Sequence, residues 1–152
     1  MRRLSVAAPT FLTAERRHRM NENLTAIAER SLSAAYEGSM DFPSIVRMLL
    51  EAGFEGYDID YRRATATYFL PSGDSITVPA PKTDGTVAAE FNASQVERAI
   101  REAQAKAPGY TYAGFCTKVK AAGCAGYMVS FLGKRVVYFG RTAEVHVEHF
   151  PK

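Results

Sequence analysis

Ala52-Gly53-Phe54-Glu55-Gly56-Tyr57 and Ala122-Gly123-Cys124-Ala125-Gly126-Tyr127 stand 70 residues apart and share their first two and last two residues. Each hexapeptide follows a short run of helical apolar period and precedes a run of alternating period. A glycine just past a helix takes the left-handed conformation that closes the last turn, and a second glycine before an aromatic residue opens a strand. The correspondence extends outward on both sides. Upstream, Ile45, Val46 and Leu49 match Phe115, Cys116 and Val119; downstream, Ile59, Tyr61 and Tyr68-Phe69 match Val129, Phe131 and Tyr138-Phe139. Two copies of one unit, about 42–78 and 112–148, therefore organise the chain.

Before the first copy, Leu24, Ile27, Ala28, Leu32, Ala35 and Tyr36 recur at three- and four-residue spacing. They predict a helix over 21–37, capped by Asn21 or Asn23 and stopped by Gly38. Asp41 and Pro43 open a second helix over 42–52, with Ile45, Val46, Leu49 and Leu50 as its buried face. Strands follow at 56–61, 64–70 and 75–78, parted by Arg62-Arg63 and by Pro71-Ser72-Gly73-Asp74 and ended by Pro79 and Pro81. Residues 82–89 form a loop with a short strand at 86–88. A helix then runs from Asn92 or Ser94 to about Ala107 on the stripe Val96, Ala99, Ile100 and Ala103, and Pro108-Gly109 breaks it. A helix over 111–122 and strands at 126–132, 135–139 and 143–150 complete the series, with Gly133-Lys134 as a tight hairpin signal.

The order is α-α-β-β-β, twice. Short turns between strands impose antiparallel pairing, and three strands alone bury too little to be stable. The expected fold is therefore α+β: an antiparallel sheet of about six strands with helices packed on one face, its halves (about 21–89 and 90–152) related by a pseudo-twofold. In each half the corner glycines Gly53 and Gly123, with Gly56 and Gly126, are expected to determine the fold rather than to touch a ligand.

A chain of 152 residues fits one domain with a real core, and 47% hydrophobic with 23% charged residues is ordinary globular composition. No apolar run approaches the ~20 residues that span a bilayer. The net charge of +3 is uneven: five arginines and one glutamate fall in residues 1–20, leaving a body close to neutral. Bulk charge thus argues against a nucleic-acid partner. Residues 1–19 are expected to be a flexible basic extension, with Met20 as an alternative start; a basic nucleic-acid- or lipid-binding arm is the sharper alternative, without a motif to support it. Residues 20–152 form the single domain. Cys116 and Cys124 lie about two helical turns apart, too far for a bridge, and fit a reduced, cytoplasmic protein.

No phosphate loop, dinucleotide fingerprint, nucleophile elbow or zinc spacing is present, so no cofactor and no metal site is expected. Three constellations carry chemistry. Asp58 and Asp60 share one strand face about 6.5–7 Å apart and can bind a hard cation or divide acid and base roles. The second copy has Met128 and Ser130 there, so solvated strand face is the simpler account. His146 and Glu148 share a face of the last strand and can form a catalytic pair; cross-strand polar pairing is simpler. Tyr57, Tyr68, Tyr127 and Tyr138, with neighbouring aromatics, can line a pocket between the halves for a flat ligand; core packing is simpler.

Phe115-Cys116 with the Ala122–Tyr127 corner, Val137-Tyr138-Phe139-Gly140 and the ending Glu148-His149-Phe150-Pro151 resemble the YdfO-like bacterial family of unknown function. Ala52-Gly53-Phe54 through Tyr57 and Thr67-Tyr68-Phe69-Leu70-Pro71 with Gly73 are similar too. The resemblance covers roughly 21–151 and implies a small α+β domain. Some members of that family are labelled phage envelope protein, and it supplies no catalytic residue to carry over. The expected function is accordingly a cytoplasmic binding or interaction protein without a catalytic site. Its alternatives are a small-molecule-binding domain with an aromatic pocket between the halves, and an enzyme using a carboxylate/histidine pair. The expected partner is a protein or a small molecule, with no membrane association, and a homodimer is compatible with the sequence.

Overall fold

A computed structural model describes residues 13–151. Its elements are α1 (Ala14–Glu37), α2 (Phe42–Glu51), β1 (Gly56–Asp60), β2 (Thr65–Phe69) and β3 (Ser75–Pro79), then α3 (Ala93–Gln104), α4 (Tyr112–Ala121), β4 (Cys124–Ser130), β5 (Arg135–Gly140) and β6 (Val145–His149). The α+β order expected from the repeat is present, with four helices and six strands among the described residues.

α1 starts seven residues earlier than its apolar period indicates. Thr13 caps it, its hydroxyl accepting the Arg16 N–H at 3.2 Å, and neither glycine nor proline interrupts the run to Gly38. The early turns are exposed, so no apolar stripe marks them. Residues 14–19 of the expected basic extension are thus helical; residues 1–12 lie outside the described residues. Gly38 ends α1 in the left-handed region.

Asp41 caps α2 by accepting the Ser44 N–H at 3.0 Å. Its far end closes as the corner sequence requires: the Gly53 N–H reaches the Leu50 carbonyl and the Phe54 N–H the Leu49 carbonyl, both at 3.0 Å. This pair of bonds satisfies carbonyls that a helix end otherwise leaves open, and Phe54 buries itself beside Leu49. One expectation fails here. Leu50 belongs to no buried face; it is 49% exposed.

The sheet order is β3-β2-β1-β4-β5-β6, antiparallel throughout. β1 and β4 meet with Asp58 opposite Met128, positions that correspond in the two sequence copies, so Gly56 pairs with Ser130 and Gly126 with Asp60. A Cβ at Gly56 would lie 2.5 Å from the Val129 carbonyl oxygen, and one at Gly126 2.2 Å from that of Ile59. These two glycines let the central strands approach. The first hairpin of each half turns through four residues, 61–64 and 131–134, so Gly133-Lys134 is part of a longer turn than expected. Ala64 and Lys134 both take positive φ there.

All four helices cover one sheet face, where Tyr57, Ile59, Tyr68, Tyr127, Val129 and Tyr138 form the floor of the core. Among the described residues no helix covers the other face, on which Met128, Val145 and Val147 are exposed. Residues 86–88 form no strand. The Ala88 N–H donates to the Lys120 carbonyl of α4 and the Val87 carbonyl accepts from Arg141, so the backbone there is satisfied without a strand edge.

Candidate functional site

The four tyrosines expected to line an aromatic pocket are core. Tyr57, Tyr68, Tyr127 and Tyr138 are all buried, and their rings fill the space between the halves: Tyr57 stacks on Tyr68 at 5.4 Å and Tyr127 meets Tyr138 at 5.3 Å. Two of their hydroxyls find partners inside. Tyr68 pairs with Ser31 at 3.2 Å, and Tyr127 with Tyr112. Burial pushes the Tyr68 phenol up to about 12 and Tyr57 and Tyr127 well above the usual phenol range, so all stay protonated at neutral pH.

The Asp58/Asp60 pair and the His146/Glu148 pair do not converge on each other. Asp58 and Asp60 face the uncovered side of β1, whereas His146 and Glu148 face the helices from β6. Asp60 is a turn residue: its Oδ1 accepts the N–H groups of Arg62 and Arg63 at 2.9 and 3.0 Å. Among the described residues one buried oxygen of Asp58 has no partner, and burial, then the neighbouring Asp60, raises its carboxyl. His146 Nε2 does meet Glu148 at 2.8 Å, and Arg101 of α3 clamps both Glu148 oxygens at 3.0 Å. Burial opposes the Glu148 charge, but Arg101 and His146 outweigh it and hold the carboxyl below its usual value. This trio ties the edge strand to α3. Among the described residues no three His, Cys, Asp or Glu side chains gather as a metal site, and no helix is long and apolar enough to cross a membrane.

Both thiols are buried. Burial raises Cys116 despite the Tyr61 hydroxyl, which donates to its Sγ at 3.5 Å, and pushes Cys124 to about 12. Burial thus disfavours the thiolate at both positions.

The feature that sequence reasoning missed is a half-open pocket of about 690 Å³ beside the aromatic core. It lies between the β1–β2 turn, the irregular segment 80–87 and two residues of the second half, Lys120 and Arg141. Tyr36 and Tyr61 are partly buried in its wall. Tyr61 turns its hydroxyl inward to Cys116. Five basic side chains line it: Arg62, Arg63, Lys82, Lys120 and Arg141, against the single carboxylate Asp60. Lys120 is only 6% exposed. Its Nζ donates to the carbonyl and the hydroxyl of Thr83, each at 3.0 Å, and has no carboxylate partner among the described residues.

Lys120 was the available signal. It follows Phe115, Cys116 and Val119 on the apolar stripe of α4, where a lysine must be covered by something polar. Segment 80–88 provides the cover. The corresponding residue of α2 is Leu50, which lacks one and is exposed, so the two positions invert the usual burial of leucine and lysine.

The family model described as "Protein of unknown function (DUF1398)" matches residues 30–149, from the middle of α1 to the end of β6. No curated protein matches the chain. The chain belongs to the DUF1398 family.

Proposed function

We propose that this DUF1398 member is a cytoplasmic, non-enzymatic binding protein that holds a small molecule in the pocket where its two halves meet. The pocket's construction carries the proposal. Both halves contribute to one concavity of about 690 Å³, well within the size range of small-molecule sites, with aromatic wall and polar rim together. A non-enzymatic role agrees with the separation of Asp58 and Asp60 from His146 and Glu148 on opposite sheet faces. The reduced, buried cysteines support a cytoplasmic setting. Kinship with the YdfO-like proteins rests on the two Gly-Tyr corners, and the palindromic pairing of β1 with β4 favours a pseudo-twofold relation of the halves.

The test is an untargeted ligand screen by thermal shift, since any compound that binds the native state raises the midpoint. Hits are then mapped by amide chemical shifts. Binding at residues 61–64 and 80–87 supports the proposal; hits that perturb only other surfaces refute it. A second reading, an interaction protein or homodimer, draws on the exposed Met128, Val145 and Val147 of the uncovered sheet face. Sedimentation that stays monomeric at high concentration counts against the homodimer.

A further inference from the structure

We propose that the pocket's ligand is a small phosphate-bearing molecule with a planar body. Its phosphate lies among Lys120, Arg62, Arg63 and Arg141, and its ring lies against Tyr36 and Tyr61. The inference rests on the reading of the pocket as a binding site and adds the chemistry of the occupant.

Charge segregation is the first support. Residues 20–152 hold fourteen basic and fifteen acidic side chains, of which five and one line the pocket, leaving nine and fourteen elsewhere. A body that is acidic elsewhere thus concentrates its cations around one concavity. Asp60, whose Oδ2 lies 3.7 Å from Arg63, offsets one of these charges and leaves four. A ligand with a single negative charge would leave most of this field unmatched, whereas a phosphate monoester brings about two charges and three acceptor oxygens.

Lys120 is the second support. A buried ammonium normally has a carboxylate beside it, because removing the charge from water is costly. Here only the two neutral oxygens of Thr83 accept from Nζ, and one of its three N–H donors remains for an anion. Arg62 and Lys82 make no side-chain hydrogen bond or ion pair among the described residues, and Arg141 spends one N–H on the Val87 carbonyl. Arginine forks suit a phosphate's oxygens, and both tyrosines offer ring surface to a planar group.

The experiment titrates the full chain with phenyl phosphate, inorganic phosphate, phenol, phthalate and a short single-stranded oligonucleotide, following pocket amides by NMR. Phenyl phosphate is expected to bind at least about tenfold more tightly than phenol or inorganic phosphate, and more weakly as salt rises. Lys120→Met should lose about tenfold in affinity, with Lys120→Arg recovering part of it. Because Lys120 also holds Thr83, the variant Arg62→Gln provides a second arm: its side chain is exposed and bonds to nothing among the described residues, so its melting point should hold while affinity falls about tenfold. If phenol matches phenyl phosphate at the pocket, the charge inference is wrong and the binding site stands. Tighter binding of phthalate makes the ligand a dicarboxylate and overturns the phosphate. Tighter binding of the oligonucleotide makes the surface a nucleic-acid site. If no probe moves a pocket amide, both the inference and the binding site fall.

Discussion

Gly53 and Gly123 occupy the same place in the two copies and take the same unusual backbone, with φ of 102° and 91°, yet an added methyl group should cost very different amounts. The strain of placing an L side chain at such φ is shared and amounts to about 1–3 kcal/mol. At Gly53 nothing lies within 4 Å of the new Cβ, so strain is the whole cost of Gly53→Ala. At Gly123 the new Cβ would stand 1.9 Å from the Glu90 carbonyl oxygen and 2.8 Å from the Phe91 Cα. The segment must retreat by more than about 1 Å to reach ordinary contact. Retreat strains the 2.8 Å bond from the Asn92 N–H to the Ala122 carbonyl, and with it the cap of α3, since Asn92 accepts the Gln95 N–H. Overpacking of this kind adds about 1–3 kcal/mol and a weakened hydrogen bond about 1 more. Gly123→Ala should therefore exceed Gly53→Ala by about 2–4 kcal/mol. Urea denaturation reads the difference as a midpoint gap of about 1 M at typical slopes. Equal midpoints in the two variants, or a more stable Gly123→Ala, would refute the account of how the linker between the halves is seated.

Two carboxylates should move stability with pH in opposite directions. Glu148 is held below its usual value, so its contribution is present above about 4.3, the unfolded value, and is lost as pH falls through the folded one. Glu148→Gln should lower the midpoint at pH 7 and flatten the acid limb; an unchanged acid limb contradicts the Arg101 clamp. Asp58 is raised, so the fold is favoured below about 3.9 and stability is lost as pH rises through the folded value. Asp58→Asn should stabilise at pH 7 and do nothing at pH 3, and destabilisation at pH 7 would reveal a partner for the buried oxygen. Cys116 and Cys124 should resist iodoacetamide in the native state and react at the unfolding rate in urea, whereas fast native alkylation of either would show an open path to the core.

The elements were legible because their signals are local. Asp41, Gly38, Gly53 and Gly123 each act within one turn, and alternation in β1 and β4 assigns Tyr57 and Tyr127 to the core without any tertiary knowledge. The early turns of α1 were hidden because an exposed helix needs no apolar stripe. Leu50 was misassigned because periodicity gives a face but not what covers it. The pocket was the least legible part. Arg62, Lys82, Lys120 and Arg141 are separated by about 20 residues or more, and each looks solvated alone. They meet because segment 80–88, which has no period of its own, crosses to α4 and hands its oxygens to Lys120. The Asp58/Asp60 and His146/Glu148 pairs were correctly placed on shared strand faces. What alternation within one strand cannot give is that the two strands turn those faces to opposite sides of the sheet.

Amide hydrogen exchange of the full chain, with and without saturating phenyl phosphate, tests the binding pocket most directly. Slowed exchange concentrated at residues 61–64 and 82–88, with the amides around Met128, Val145 and Val147 unchanged, is the predicted result. Protection confined to the uncovered sheet face, or no change at the β1–β2 turn and segment 82–88, would contradict it.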